Sequence, residues 1–337
     1  MNKPALLLIS LIACFLYSIT TASSQSSIKR LDQSQKVSIT QQIGITDITI
    51  VYHSPLVDGR MVWDSMVPYG SVWRAGANEN TTIAFSNPVI LEGQALGAGT
   101  YGLHMITGKD EWTIIFSKTS TAWGSYTYKQ EDDALRVKVK AMETPFQNWL
   151  SYTFMDPRPS VVAIALTWEK VRVAFEVTMD VDKQVLDHFR RKFSSEDSLS
   201  WQTWYMAANY CYTQDIHPEE AMEWVNESIR VMENFTNLSL KHGLLTQRGD
   251  SDAAKPVLDK ALEYATEEEI NAYGYTLMGL GKTNDALAIF ELNVKRYPDG
   301  WNVYDSLAEC LAAKNDKKAA LKYYKMALKK APEDKRG

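Results

Sequence analysis

GKTNDALAIFELNVKRYPDG, residues 281–300, decides how the C-terminal half of this chain folds. Gly281 stands five residues before Ala286. Phe290 follows Ala286 by four residues, Asn293 by seven, and Pro298 closes the stretch. Residues 315–332, NDKKAALKYYKMALKKAP, repeat the order with Ala320, Tyr324, Ala327 and Pro332. Upstream, Ala221 and Ala254 head weaker copies, with Val225 and Leu258 four residues on and Ser228 and Ala261 seven on. Gly249 precedes Ala254 as Gly281 precedes Ala286. The four alanines are separated by 33, 32 and 34 residues. A period near 34 with a small residue where two helices cross indicates a solenoid of paired helices. The alanine lets the helices approach closely, and a larger side chain there would wedge them apart.

This half resembles tetratricopeptide repeats, in four units at about 201–234, 235–266, 267–300 and 301–334. The second unit departs from the pattern, because His242 takes the small-residue position. The resemblance implies that the first helix of each unit lines a concave face. That puts Tyr205, Asn209, Tyr212, Asn271, Tyr275, Asn302 and Asp305 toward a partner protein or peptide. Ahead of the repeats, residues 181–200 read as a linker helix, with Leu186, Phe189 and Phe193 on one side. The lysines of the last unit, from Lys314 to Lys330, read as the polar outer face that the end of a solenoid needs.

Residues 36–180 have a different period. Ile48, Ile50 and Tyr52 alternate with polar neighbours, as do Leu135, Val137 and Val139. Alternation with one solvated face indicates antiparallel strands, each with one side on a core. Roughly nine such strands predict a β-sandwich or a partly closed barrel. Glu169-Lys170 reads as a tight reversal between two of them. The fold class is therefore multidomain, an antiparallel β domain followed by an all-α solenoid.

The loop within VWRAGANENTTIAF, residues 72–85, is the first place to seek a ligand. Arg74, Asn78 and Glu79 crowd together there, and Arg60 lies on an earlier loop. An arginine offers a planar fork of donors that suits carboxylate or phosphate. The alternative is an Arg–Glu pair that fastens one loop to another. On either view Arg74 and Glu79 are expected side by side, with Arg60 and Trp123 approaching. Trp73, Trp123 and Tyr126, beside Trp63 and Tyr128, would stack on a sugar ring or pack as core. The histidines are scattered without ligand spacing, so no metal site is expected. His53-Ser54 lacks the elbow of a serine hydrolase.

The run Gly59-Arg60, Val67-Pro68-Tyr69-Gly70, Trp73-Arg74-Ala75-Gly76-Ala77-Asn78-Glu79, Gly99-Thr100-Tyr101, Glu111-Trp112 and Trp123-Gly124 resembles a bacterial exported family, domain of unknown function 2911. The resemblance covers about residues 36–180. It implies export and a two-part architecture and brings no activity with it.

Lys3 followed by the apolar run Ala5–Tyr17 and by Thr20-Thr21-Ala22 predicts a signal peptide over residues 1–22. A polar tail follows over 23–35. Leu11-Ile12-Ala13-Cys14 resembles a lipoprotein box, so a lipid anchor on Cys14 is the alternative. No stretch of the mature chain reaches the ~20 apolar residues of a membrane helix. The net charge of −5 opposes a nucleic-acid role, and Cys211 and Cys310 read as buried thiols rather than a bridge. Together these features predict an exported, non-enzymatic recognition protein of the periplasm or cell envelope. It would bind a protein or peptide through the repeats, and a small polar or sugar ligand through the β domain at Arg60, Trp73, Arg74, Asn78, Glu79, Trp123 and Tyr126. The alternative is an envelope hydrolase of carbohydrate or peptide sited at the Arg74–Glu79 loop. No cofactor and no catalytic residue are assigned.

Overall fold

The computed structural model describes residues 33–195 and 199–335. The expected signal peptide, Cys14 and most of the polar tail lie outside the described residues. The chain divides into two compact units, Met1–Val181 and Asp182–Gly337.

The first unit is one antiparallel sheet of ten strands. They are β1 (Gln35–Ile43), β2 (Thr46–Ser54), β3 (Val72–Trp73), β4 (Thr82–Phe85), β5 (Val89–Leu91), β6 (Gln94–Leu96), β7 (Gly99–Ile106), β8 (Glu111–Ser117), β9 (Asp133–Arg158) and β10 (Val161–Thr178). Hydrogen bonding follows the order β1-β2-β4-β7-β8-β9-β10-β5-β6, with the short β3 on β7. The long strand β9 makes the sheet turn over on itself. Its first part pairs with β8 and its second part with β10. Just past β2 the chain meets β9 again: Val57 N–H donates to Asn148 C=O at 2.6 Å, and Leu150 N–H to Pro55 C=O at 3.0 Å. These bonds partly close the barrel. A single buried cluster fills it, drawn from β2 (Ile48, Ile50), β8 (Ile114, Phe116) and β10 (Leu166, Phe175).

The expected reversal at Glu169-Lys170 does not occur. β10 runs through both residues. Glu169 takes a left-handed φ of 55° where the pairing with β9 shifts register on either side. An extra residue at a bulge bends a strand without ending its pairing, so two apolar runs that look like a hairpin are one bent strand. The bend delivers Trp168 to a cluster of four indoles. Trp73 stacks on Trp168 with centroids 6.0 Å apart, and Trp63 sits edge-on to Trp112 at 4.9 Å and to Trp168 at 5.7 Å.

The second unit is helical: α1 (Val181–Ser195), α2 (Trp201–Gln214), α3 (Pro218–Val231), α4 (Phe235–Gln247), α5 (Ser251–Tyr264), α6 (Glu267–Gly279), α7 (Thr283–Arg296), α8 (Trp301–Ala313) and α9 (Lys317–Lys330). From α2 onward they pair as four hairpins. Side-chain caps fix several starts: Ser200, Asn234, Asp250, Thr266 and Asp316 each accept a backbone N–H of the first turn. Such a cap is worth about 1 kcal/mol. The crossing alanines Ala221, Ala254, Ala286 and Ala320 are all buried. At Gly274 of α6 a Cβ would stand 2.6 Å from the Phe290 ring of α7, so only glycine fits that crossing. In the second unit His242 uses Nδ1 to meet the Ala254 carbonyl at 3.1 Å. A polar contact there replaces close backbone packing.

The helix expected as a linker, α1, packs on the first hairpin. Phe193 stacks on Trp204 with centroids 3.9 Å apart, and Arg190 binds Glu220 in bidentate fashion at 2.9 and 2.7 Å. Cys211 and Cys310 are free and buried. Burial pushes the Cys211 thiol up to about 11. Among the described residues no helix is long and apolar enough to cross a membrane.

Candidate functional site

The loop after β3 does not make the expected Arg74–Glu79 pair. Glu79 Oε2 lies 3.3 Å from Nδ1 of the buried His53. Backbone geometry separates the two side chains, because Ala75 and Asn78 both take left-handed φ, 52° and 56°. Thr81 donates its hydroxyl to the Ala75 carbonyl at 3.0 Å, and Ala77 N–H donates to His53 C=O at 3.2 Å. The loop is therefore a tight knot that turns Arg74 and Glu79 apart.

Arg74 lies over Gly124, where its Nη1 stands 2.7 Å from the place a Cβ would occupy. That Nη1 donates to the Asn78 carbonyl at 3.0 Å. Arg60 is tied down differently. Its Nε donates to Val57 C=O at 3.1 Å and its Nη2 to Leu56 C=O. Arg60 and Arg74 meet as walls of one cavity of about 550 Å³, with Trp73 and Trp168 between them and Leu56, Met66 and Asp58 around them. Trp73 donates its indole N–H to Gly76 C=O at 3.2 Å. With its ring against Trp168 it is core material facing a cavity, not a free stacking platform.

Trp123 and Tyr126 are 60% and 83% exposed, as a glycine-containing loop predicts. They open on different hollows. Trp123 shares one of about 420 Å³ with His53 and Glu79, where its backbone also bridges that of Glu79. Tyr126 shares one of about 240 Å³ with Trp73, Arg74 and Ser125. Six of the seven expected ligand residues are thus spread over three hollows, Trp73 and Arg74 each bordering two of them, and Asn78 lines none. Asn78 contributes its carbonyl, while its buried amide Nδ2 has no partner.

One arrangement escapes any local pattern. Ser125 Oγ is 2.8 Å from Nδ1 of the buried His104. Burial lowers the His104 pKa from 6.5 to about 4, against the opposing pull of Asp133. Beside it Asp133 accepts from Tyr128 at 2.8 Å and from Arg136 Nε at 2.5 Å. Ser125 and His104 are 21 residues apart, on a loop and on β7, so only strand pairing reveals them. His53 and Ser54 do not form a catalytic pair: Ser54 gives its hydroxyl to Leu150 C=O at 2.7 Å. Among the described residues no group of histidine, cysteine and acidic side chains could hold a metal.

In the solenoid the first helices carry a regular polar row. The fifth residues of α2, α4, α6 and α8 are Tyr205, Ser239, Asn271 and Asp305, and all four are half-buried. The ninth are Asn209, Gly243, Tyr275 and Glu309; the second include Glu268 and Asn302. Ser239 Oγ and Asn271 Oδ1 are buried and have no hydrogen-bond partner among the described residues. Burial and the nearby Glu309 raise the Asp305 carboxyl. Tyr275 donates to Glu309 at 2.6 Å, which with burial pushes its phenol up to about 12. Tyr212 falls at the twelfth position of α2. Its ring lies over Gly243 of α4, about 3 Å from where a Cβ would stand. It therefore fills the gap left by that glycine.

Residues 34–177 match the model of a family described as protein of unknown function, DUF2911. The match covers nearly all of the described β unit. Residues 271–335 match a tetratricopeptide repeat model, so α6 to α9 are repeats of that kind behind the β unit. No curated protein matches the chain. Among solved structures, YrrB, described as a TPR protein with an unusual peptide-binding site, is 21% identical, covering 45% of this chain and 79% of its own, with a TM-score of 0.29. MamA is 16% identical, covering 44% and 88%, with a TM-score of 0.31. A fragment of MamA from Desulfovibrio magneticus RS-1 is 20% identical, covering 39% and 76%, with a TM-score of 0.27.

Proposed function

We propose that this is an exported recognition protein of the bacterial cell envelope, whose repeats bind an extended segment of a partner protein. The observation that carries the proposal is the row Tyr205, Ser239, Asn271 and Asp305, one polar residue from the same position of every first helix. A helical solenoid presents such a row at the spacing of its repeats, which suits an extended chain read at intervals. Export rests on the N-terminal sequence alone. The hydrolytic alternative gains nothing at the Arg74–Glu79 loop, where the single carboxylate is engaged by His53.

The test is selection of peptides from a random display library on the full mature chain, followed by affinity measurement. Tyr205→Ala with Asn271→Ala should weaken a selected peptide at least about tenfold, as loss of a central contact does. Tyr264→Ala, on the exposed side of α5, should leave it unchanged. Equal loss from both variants, or no selected peptide, refutes the proposal.

A further inference from the structure

The β unit holds unmatched donors around one cavity. Arg74 spends only Nη1 on the protein, which leaves its Nε–Nη2 edge without a partner among the described residues. That edge is the one that grips a carboxylate through two parallel bonds. Arg60 spends Nε and Nη2 on carbonyls and keeps only Nη1. Neither arginine has an ion-pair partner among the described residues, in contrast to the paired Arg136, Arg158, Arg190 and Arg230 but like several other arginines of the chain. Trp168, in the wall of the same cavity, is 1% exposed and its indole N–H has no acceptor among the described residues. A buried donor without an acceptor is costly, so a group that accepts would be favoured at this site. Asp58 is the one carboxylate in the lining, so two guanidinium groups and an indole N–H outnumber it and favour a group that accepts. An ionised carboxylate is such a group. Leu56, Met66, Val67 and Trp73 give the cavity an apolar side, Gln33 and Ser34 add polar groups, and Asp58 offsets one of the two positive charges.

We propose that this cavity binds a carboxylate carried on an apolar body. The Nε–Nη2 edge of Arg74 takes the carboxylate oxygens, and the body lies against Met66 and Trp73. Arg74 is the receptor, and Arg60 is chiefly a fastening that holds the 56–60 turn. The site goes beyond partner binding at the repeats and stands or falls separately from it. It leaves open a free organic acid or the C-terminus of a peptide, which share this chemistry.

The experiment uses the full mature chain and calorimetric titration with four probes: N-acetyl-phenylalanine, hexanoate and the neutral amide of each. The proposal expects at least one acid to bind and its amide to bind at least tenfold more weakly. Preference between the acids tells a peptide terminus from an organic acid. Arg74→Lys should weaken the acid at least tenfold, because an ammonium cannot reproduce the fork. Arg60→Lys should change it less than threefold. Near-UV circular dichroism checks that each variant keeps its aromatic packing; if Arg74→Lys loses it, the acid-to-amide ratio on the wild type decides. Failure of both acids, equal binding of acid and amide, or equal loss from the two lysine variants overturns the proposal.

Discussion

His104 makes the β unit sensitive to mild acid. Its ring is 2% exposed, in hydrogen-bond contact with Ser125, and 5.3 Å from the ring of Tyr128. Burial disfavours the charged imidazolium, and the Coulombic help of Asp133 only partly offsets it. The pKa falls from 6.5 to about 4 on folding. Between those values the unfolded chain binds a proton that the folded chain refuses, so stability rises with pH across that window. The contribution is complete above the unfolded value and is lost as pH falls toward the folded one. Two and a half pH decades at roughly 1.4 kcal/mol each amount to about 3.5 kcal/mol in full, of which about 3 kcal/mol is lost by the time pH reaches the folded value. The perturbation is His104→Gln, which keeps a polar side chain and removes the titration. Urea unfolding of both proteins at several pH values from neutral to mildly acidic measures the effect. Wild type should lose about 3 kcal/mol more than the variant over that range. The carboxylates titrate in both proteins, so they cancel in the comparison. Parallel pH profiles would refute the account of His104 as a neutral, buried group.

Ala286→Leu and Ala320→Leu should each lower stability by about 1–3 kcal/mol in urea melts, since both alanines sit at buried helix crossings. Gly274→Ala should do the same despite the better helix propensity of alanine, because the new Cβ meets the fully buried Phe290 ring; a gain in melting temperature would show that the ring yields. Arg136→Ala should cost about 1.5–3 kcal/mol by the same assay, since it strips a charged donor from Asp133, whose side chain is 8% exposed. Tyr275→Phe should cost less than about 1 kcal/mol, because the Glu309 carboxylate that loses its donor is exposed to water.

Much of the solenoid was readable from one dimension because its geometry is local. A helix crossing recurs in each hairpin, so its demand for a small residue recurs in sequence at Ala221, Ala254, Ala286 and Ala320. His242 stood out as a departure by the same logic, though its bond to the Ala254 carbonyl could not be foreseen. The strands were legible through alternation, which reports that one face is buried but not which strand lies beside it. That is why Glu169-Lys170 passed for a hairpin: a left-handed residue looks alike in a turn and in a bulge, and only pairing with β9 tells them apart.

The site on the β unit divides in the same way. Sequence alone singled out the crowded loop after Val72-Trp73, because its polar composition marks it, while it left Trp123 and Tyr126 open between a stacking platform and core. Which group answers which was decided in three dimensions. Left-handed φ at Ala75 and Asn78 turned Glu79 to His53 and left Arg74 over Gly124. Strand pairing brought Ser125 to His104 across 21 residues. A hydrogen bond acts over about 3 Å and takes no account of separation along the chain. Side chains whose partners lie within a few residues therefore leave a trace in the sequence, and those whose partners arrive on another strand do not.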